Sequence, residues 1–230
     1  MTNIHLVGGE KGGVGKSLVA RILAQYLIDK ELPFIGFDTD RSHGALMRFY
    51  PEHASPALVN HYEALDRIVE TAVEHPGKRI LVDLAAQTFD PLVKWMDDSG
   101  VVNLADEMDI HLIYWHVMDS GKDSLDLLKR LLDRFGTGLR YVIVRNQLRG
   151  NDFGLLEQSG EQTRAQGLGA KVITIKKLYE GVIMKIDNGS HSFAQAKSSD
   201  EDSIGFGLMD RQRVKIWLRD AYREFDDVGV

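Results

Sequence analysis

A chain of 230 residues with 43% hydrophobic content can bury a sizeable single core. Its formal net charge of −6 argues against a surface that is basic throughout, so contact with nucleic acid would need a local basic patch. The chain has no cysteine, which excludes disulfides, thiolate nucleophiles and metals ligated by sulfur. No charged and apolar leader opens it and no apolar run approaches the ~18 residues of a membrane span, so we expect a cytoplasmic protein.

The first predicted strand, residues 4–7, leads into the glycine-rich segment GGEKGGVGKS at residues 8–17, and a helix is predicted at about 16–30. A strand, a glycine-rich loop and a helix start together form a phosphate site, because backbone N–H groups and the positive helix end converge on one anion. The glycines let the backbone wrap the anion where a β-carbon would collide with it. The pattern predicts a nucleotide site in which Lys16 reaches the β- and γ-phosphates and Ser17 ligates Mg²⁺.

The loop departs from the strict phosphate-binding pattern at Glu10, where that pattern has glycine, and it carries a second lysine, Lys11, at its front. This Lys-Gly-Gly-x-Gly-Lys-Ser variant resembles the deviant Walker loop of the ParA/MinD family of ATPases, which partition plasmids and chromosomes and place division sites. The resemblance implies that ATP and Mg²⁺ are bound and that Lys11 crosses a dimer interface to the phosphates held by the partner subunit. The implied nucleotide contacts of the loop are Glu10, Lys11, Gly12, Gly13, Val14, Gly15, Lys16, Ser17 and Leu18.

A short buried strand is predicted at residues 34–37, and Asp38 and Asp40 follow it. Carboxylates at the C-terminal end of a parallel strand lie at the rim where ligands bind in open α/β sheets. In the family the matching Asp-x-Asp segment is the first switch, and its second aspartate, here Asp40, contacts the water shell of the metal and helps to position the attacking water. An acidic turn that caps the next helix is the alternative for Asp38. Residues 41–44, Arg-Ser-His-Gly, replace the usual Pro-Gln-Gly-Asn of partition ATPases, so the resemblance does not imply a hydrolysis rate.

Residues 56–75 place apolar side chains at helical spacing and predict an amphipathic covering helix. The following segment, residues 79–83, predicts a buried strand whose last member, Asp83, would hold a Mg²⁺-bound water beside Ser17. It is similar to the second switch of the family, where the γ-phosphate reorganises the loop that follows. Gln87 stands near the place of the usual glycine, and it either orients water or acts as a capping or solvent-facing residue.

The middle of the chain predicts a short helix at residues 91–100, a central strand at 109–117 and a helix at 120–135. His111 and His116 lie five residues apart on that strand, so their side chains point to opposite faces of the sheet. This separation argues against a metal site shared by the two histidines.

A further strand is predicted at residues 141–144, and Asn146 follows it. In the ParA/MinD family this strand ends in an asparagine that reads adenine through its side-chain amide. GTP-specific relatives carry Asn/Thr-Lys-x-Asp at this point, and no such aspartate follows here, so ATP is favoured over GTP. A turn residue after a strand is the alternative for Asn146.

Beyond residue 150 we predict a helix at 152–166, an edge strand at 171–175 and a helix at 178–186. The polar stretch 191–207 predicts a mobile loop, and a closing helix is expected at 208–226.

Strands alternate with helices along the chain, which predicts an α/β fold with a mostly parallel doubly wound sheet and helices on both faces. With the resemblance, this implies one P-loop ATPase domain over residues 1–230. The arginines of the closing helix are offset by acidic neighbours, so membrane attachment of the MinD type is disfavoured. A local arginine surface for DNA stays open, because partition ATPases bind DNA without sequence preference through such patches.

The resemblance therefore implies a Mg-ATP-dependent dimerising switch that acts in plasmid or DNA partition, positioning or conjugative transfer, together with an unidentified protein partner that stimulates hydrolysis. Slow hydrolysis is expected on a separate ground, because the useful product of such a switch is a conformation. The implied catalytic residues are Lys11, Lys16 and Asp40. The implied metal-holding residues are Ser17, Asp40 and Asp83. Two other hypotheses are a metabolic enzyme of the same fold, such as a dethiobiotin-synthetase-like ligase, and a module that holds nucleotide with little hydrolysis. Lys11 speaks against the first, because a site completed within one subunit needs no interface lysine.

Overall fold

The structure is a computed structural model that describes residues 2–40, 44–198 and 205–230. Its centre is a sheet of seven strands, all parallel, in the order β3-β2-β4-β1-β5-β6-β7. The strands are β1 (Thr2–Gly8), β2 (Phe34–Asp38), β3 (Ala54–Pro56), β4 (Arg79–Asp83), β5 (Ile110–Met118), β6 (Arg140–Asn146) and β7 (Lys171–Ile175). The predicted parallel α/β sheet is thereby confirmed.

Helices cover both faces of the sheet. They are α1 (Lys16–Asp29), α2 (Ala45–Phe49), α3 (Tyr62–Glu74), α4 (Phe89–Asp98), α5 (Val101–Glu107), α6 (Lys122–Phe135), α7 (Gly154–Gln158), α8 (Glu161–Gly167), α9 (Glu180–Gly189), α10 (Phe193–Lys197) and α11 (Leu208–Val228).

Two hydrophobic cores lie on opposite sides of the sheet, because successive side chains of a strand point to opposite faces. On β5, Leu112 and Tyr114 pack in the core that α3 to α8 cover. Ile113 and Trp115 of the same strand pack in the core that α1, α2, α9, α10 and α11 cover. The central strands are buried on both faces, which explains their nearly continuous apolar sequences.

The strand order brings three motifs together. β1 lies between β4 and β5, so the loop that follows β1 emerges beside the ends of both neighbours. β2 pairs with β4 in a register that sets Asp38 opposite Asp83. The carboxyl ends of β1, β2 and β4 therefore form one rim, which carries the glycine-rich loop and both aspartates.

Several predicted boundaries were wrong. The helix expected at residues 56–75 begins only at Tyr62, because residues 54–56 form the edge strand β3 and residues 57–61 form the turn that connects it to α3. A second helix, α5, follows the short helix predicted at 91–100, and the helix predicted at 152–166 is divided into α7 and α8 by Gly160, which has a φ of 79°.

The closing segment also differs from the prediction. Part of the stretch expected to be a mobile loop is the helix α10, which begins with a capping box between Ser192 and Gln195. The remaining part of that prediction, residues 199–204, lies outside the described residues, as do residues 41–43. The last helix extends to Val228 rather than residue 226.

Candidate functional site

The glycine-rich loop between β1 and α1 has the backbone that a phosphate cradle needs. Gly13 and Gly15 have φ angles of 74° and 94°, in the left-handed region that side-chain-bearing residues rarely adopt. A β-carbon at position 15 would lie 2.2 Å from Nδ2 of Asn146, so the space there admits only glycine. Next to Gly15 the chain enters α1 at Lys16, and the first amides of that helix point back into the loop.

Lys16 is buried at the start of α1, and its Nζ donates to the carbonyl oxygen of Lys11 at 3.0 Å. Burial lowers the pKa of Lys16, while the charges of Asp83, Asp40 and Glu10 act in the opposite direction. The ammonium group is thus held within the loop and faces the acidic rim.

Asp83 ends β4 and is 2% exposed. Neither of its carboxylate oxygens has a hydrogen-bond partner among the residues that the structure describes. Burial, followed by the charge of Asp38, raises the pKa of Asp83 to about 8, although Ser17 and Lys16 favour the charged form. A buried carboxyl group either takes up a proton, as its raised pKa indicates, or gives up that proton to bind a cation, so Asp83 and the Ser17 hydroxyl fit a hydrated Mg²⁺.

Asp38 organises the segment that follows β2. Its Oδ1 accepts the backbone N–H of Asp40 at 3.0 Å, and its Oδ2 accepts the N–H of Met47 at 3.1 Å. The carboxylate thus holds the start of α2, as the capping alternative for Asp38 expects. Asp40 lies half-buried beside it, at the rim.

Lys11 lies half-buried at the front of the loop and pairs with its own subunit. Its Nζ is 3.1 Å from Oδ2 of Asp119, just beyond β5, and 3.7 Å from Oδ2 of Asp123 in α6. Burial opposes ionisation of Asp119, but hydrogen bonds from Ser124 and Lys11 outweigh it and lower the pKa of Asp119. Lys11 is therefore at the rim, in an ion pair that is open to solvent on one side.

Glu10 and Gln87 connect the loop to the segment after β4. The backbone N–H of Gln87, a residue with a φ of 60°, donates to the carbonyl oxygen of Glu10 at 3.3 Å. The Glu10 carboxylate lies 3.6 Å from Arg130, which also pairs with Asp90 at 2.8 Å. The side chain at position 10 thus contacts protein groups on the outer side of the loop.

Asn146 ends β6 and is 1% exposed. Its Nδ2 donates to the carbonyl oxygen of Val14 at 2.8 Å, and its Oδ1 accepts the N–H of Leu148 at 3.2 Å. The Asn146 amide therefore fixes the backbone of the phosphate loop at Val14. The adenine contact stays a prediction, because both bonds that the structure shows for the amide lie within the protein.

The two histidines of β5 lie apart, as their spacing predicts. His116 is buried, with Nε2 3.0 Å from the carbonyl oxygen of Ser124, and burial lowers its pKa to about 4. His111 lies at the other end of the strand, where Nδ1 is 3.2 Å from Oδ1 of Asn3.

Sequence reasoning missed three residues near the loop. Thr39 is buried between Asp38 and Asp40 and its hydroxyl bonds to the backbone after β4. Asp119 and Arg149 lie next to Lys11 and Gly13 respectively, in loops that follow β5 and β6. The signal that could have found them is their position just after the C-terminal ends of β2, β5 and β6, where ligands bind in parallel α/β sheets.

The central strand of a parallel sheet leads into a glycine-rich loop, a helix that starts at Lys16 and a rim of aspartates from neighbouring strands. This arrangement defines a P-loop nucleoside triphosphatase fold. The model of the CobQ/CobB/MinD/ParA nucleotide binding domain matches residues 6–189. The chain therefore belongs to this family, and the resemblance inferred from the loop is confirmed.

Individual relatives agree with this assignment. Protein TraL of Escherichia coli is 27% identical over 246 aligned residues, with 100% of both chains covered. Protein MobD of Acidithiobacillus ferrooxidans is 27% identical over 184 residues, which cover 78% of this chain and 80% of MobD. The structure of the MinD cell division protein of Aquifex aeolicus shares the fold, with a TM-score of 0.52, 15% identity and 95% of each chain covered. Within the described residues, no helix has both the length and the apolar character needed to cross a membrane.

Proposed function

We propose that this chain is a Mg-ATP-dependent switch that dimerises when ATP is bound and hydrolyses it slowly. The observation that carries the proposal is Asp83, a buried carboxylate without a hydrogen-bond partner among the described residues, beside a loop shaped for phosphate. A carboxyl group in this place ionises when a cation binds beside it, and Mg²⁺ bound to a triphosphate would supply that cation.

Each motif has one task within the subunit. The backbone amides of residues 12–17 hold phosphate oxygens, and Lys16 exchanges its bond to the Lys11 carbonyl for a phosphate oxygen. Ser17 and Asp83 hold the metal, which neutralises charge on the phosphates when it is bound. Asp40 orients the attacking water at the rim.

Lys11 has the task that joins two subunits. Its ion pair with Asp119 is partly exposed, since 28% of the lysine side chain is accessible, so breaking it costs little. Once released, Lys11 reaches across the interface and stabilises charge on the phosphates of the partner, as an arginine finger does. The dimer then lasts only while the γ-phosphate is present, and hydrolysis separates the subunits.

The setting of this switch is DNA partition, positioning or conjugative transfer. Support for a DNA contact comes from α11, where the exposed Lys215 and the half-buried Arg211 have no ion pair within the described part of the chain. Basic side chains without an ion pair can contact the phosphate backbone of DNA. Binding through phosphate contacts does not depend on the base sequence.

The proposal is tested by light scattering coupled to gel filtration with Mg-ATP and with Mg-ADP. We expect the wild type to elute at twice its monomer mass with ATP only, and Lys11→Ala to stay monomeric while it still binds ATP. Lys171→Ala is the matched control, because Lys171 is exposed at the start of β7, opposite the rim. A wild type that stays monomeric with ATP, or a Lys11→Ala variant that dimerises fully, would contradict the switch.

Phosphate release measured with and without DNA separates the switch from a module that only holds nucleotide. Release that depends on Lys16 and Asp40 supports hydrolysis. ATP binding without any release supports the module instead.

A further inference from the structure

The hydroxyl of Thr39 joins the ends of two neighbouring strands. Thr39 follows β2, is 5% exposed, and its backbone N–H donates to the carbonyl oxygen of Asp83 at 3.0 Å. Its Oγ1 donates to the same carbonyl at 3.1 Å and accepts the backbone N–H of Ala85 at 2.8 Å. The hydroxyl therefore adds two hydrogen bonds to the backbone bond between Thr39 and Asp83, and one of them reaches Ala85, beyond the end of β4.

Further hydrogen bonds extend this connection to the phosphate loop. The Thr88 hydroxyl donates to the carbonyl oxygen of Ala85 at 2.8 Å and closes the turn after β4. Within that turn, the N–H of Gln87 donates to the carbonyl oxygen of Glu10 at 3.3 Å. A continuous path thus runs from the backbone beside Asp40, through Thr39 and the turn, to the loop that holds the phosphates.

We propose that Thr39 is a positioning residue that couples the Asp40 segment to the Asp83 segment, so that both respond together to the nucleotide. This inference rests on the proposed function, because it assumes that these two segments sense the phosphates. Thr39 does so through its hydroxyl, which occupies its donor and one acceptor site in these two bonds. When the hydroxyl is removed, the Ala85 N–H loses its partner, and of these bonds only the one from the Thr39 N–H to the Asp83 carbonyl remains, so the coupling of the two segments weakens.

The substitution Thr39→Val tests the coupling, because valine keeps the shape of threonine and removes only the hydroxyl. We expect kcat to fall ~10- to 100-fold, since the water and the metal are no longer aligned, while KM changes less than ~3-fold because the loop contacts remain. Thr39→Ser restores the hydroxyl and should retain kcat within ~3-fold of the wild type. Thr71→Val is the matched control: Thr71 is also 5% exposed, and its hydroxyl donates to the Arg67 carbonyl within α3.

Hydrogen exchange gives a readout that does not depend on turnover. In the wild type, Mg-ADP or Mg-ATP should protect the amides of residues 10–17 and of residues 84–88 together. In Thr39→Val we expect protection of residues 10–17 to remain and protection of residues 84–88 to be lost. A purely structural role would instead raise exchange at residues 84–88 equally with and without nucleotide.

Thr39→Val with wild-type kcat and wild-type exchange would overturn the inference, as would equal losses in Thr39→Val and Thr39→Ser. Failure of the proposed function appears differently, because the wild type itself would then show no hydrolysis. If the wild type shows neither hydrolysis nor protection by nucleotide, both proposals fall.

Discussion

Acidic side chains at two places in the molecule have pKa values shifted in opposite directions. At the rim, burial and the charge of Asp38 raise the pKa of Asp83 to about 8. Near the C-terminal end of α1, hydrogen bonds from Lys30 and Tyr26 lower the pKa of Asp226 on α11. Asp226 has protein partners at 2.8 and 3.0 Å, whereas the Asp83 oxygens have none among the described residues.

The difference distinguishes an acid that stabilises the fold from an acid that serves a ligand. The charge of Asp226 is favoured by the folded chain, so it contributes to stability at neutral pH. The charge of Asp83 is disfavoured by the folded chain, so it lowers stability until a cation binds. A protein keeps a side chain that lowers the stability of the fold where its function requires that side chain.

The comparison is tested most strongly by Asp83→Asn, which keeps the shape of the side chain and removes its charge. We expect Mg²⁺-dependent ATP hydrolysis to fall ~10- to 100-fold, because a group that orients the metal's water shell is lost. In the presence of a chelator, we expect the same variant to unfold at a higher temperature than the wild type, because folding of the wild type must either bury the Asp83 charge or take up a proton, and asparagine requires neither. Phosphate release and a thermal melt measure the two effects.

Asp226→Asn is the matched variant from the other region. It should leave hydrolysis unchanged and lower the free energy of unfolding by less than ~1 kcal/mol, because the pair with Lys30 is about half exposed. If Asp83→Asn unfolds earlier than the wild type in chelator, the distinction between the two acids is wrong.

The strands that build the rim could be predicted because each is an apolar run ended by glycine, proline or aspartate. β1, β2 and β4 have this pattern, and their observed bounds lie within two residues of those expected. The strand β3 could not be predicted from the sequence, because it has only three residues, lies at the sheet edge and contains a proline that only an edge strand tolerates. Residues 54–56 form a strand because they pair with β2, and no local sequence pattern predicts that pairing.

The candidate site was predictable where one continuous segment carries the chemistry. The loop at residues 8–17 is such a segment, so its phosphate geometry follows from its own glycines. The partners of Lys11 were not predictable, because Asp119 is 108 residues away and reaches the loop only through the pairing of β1 with β5. Thr39 was missed for the same reason, since its hydroxyl acts on the neighbouring strand.

The second prediction concerns the aromatic layer under α11, which consists of His5, Tyr26, Trp115, Tyr222 and Phe225. His5 accepts the Trp115 indole N–H at 3.1 Å, so its ring is neutral, and burial together with the charge of Arg79 lowers its pKa to about 3. Because the unfolded chain binds this proton near pH 6.5, stability is complete above that pH and is lost as the pH falls towards 3.

We therefore expect the free energy of unfolding in urea to fall below pH 6.5, with His5 contributing up to ~1.4 kcal/mol per pH unit. His5→Asn keeps an acceptor for the indole and should reduce this slope by about that amount. His75→Asn is the control, because His75 is exposed at the end of α3. If the free energy of unfolding of His5→Asn falls with pH as steeply as that of the wild type, protonation of His5 is not the cause of the loss of stability in acid.

The third prediction has the smallest expected effect. It tests whether Lys11 at the rim can leave Asp119 for another partner, whereas the ion pair of Asp226 with Lys30 stays in place. Asp119→Asn removes the charge that holds Lys11, but it keeps an acceptor for the Gly121 N–H and the Ser124 hydroxyl. Since a partly exposed ion pair contributes at most ~1 kcal/mol, we expect the ATP concentration for half-maximal dimer to fall ~2- to 5-fold. Asp123→Asn is the control, with a longer pair of 3.7 Å and a side chain that is 77% exposed, and it should change that concentration less. If Asp119→Asn requires more ATP than the wild type, the pair with Lys11 promotes the dimer instead of competing with it, and the rim charges would then resemble the fixed pairs of α11.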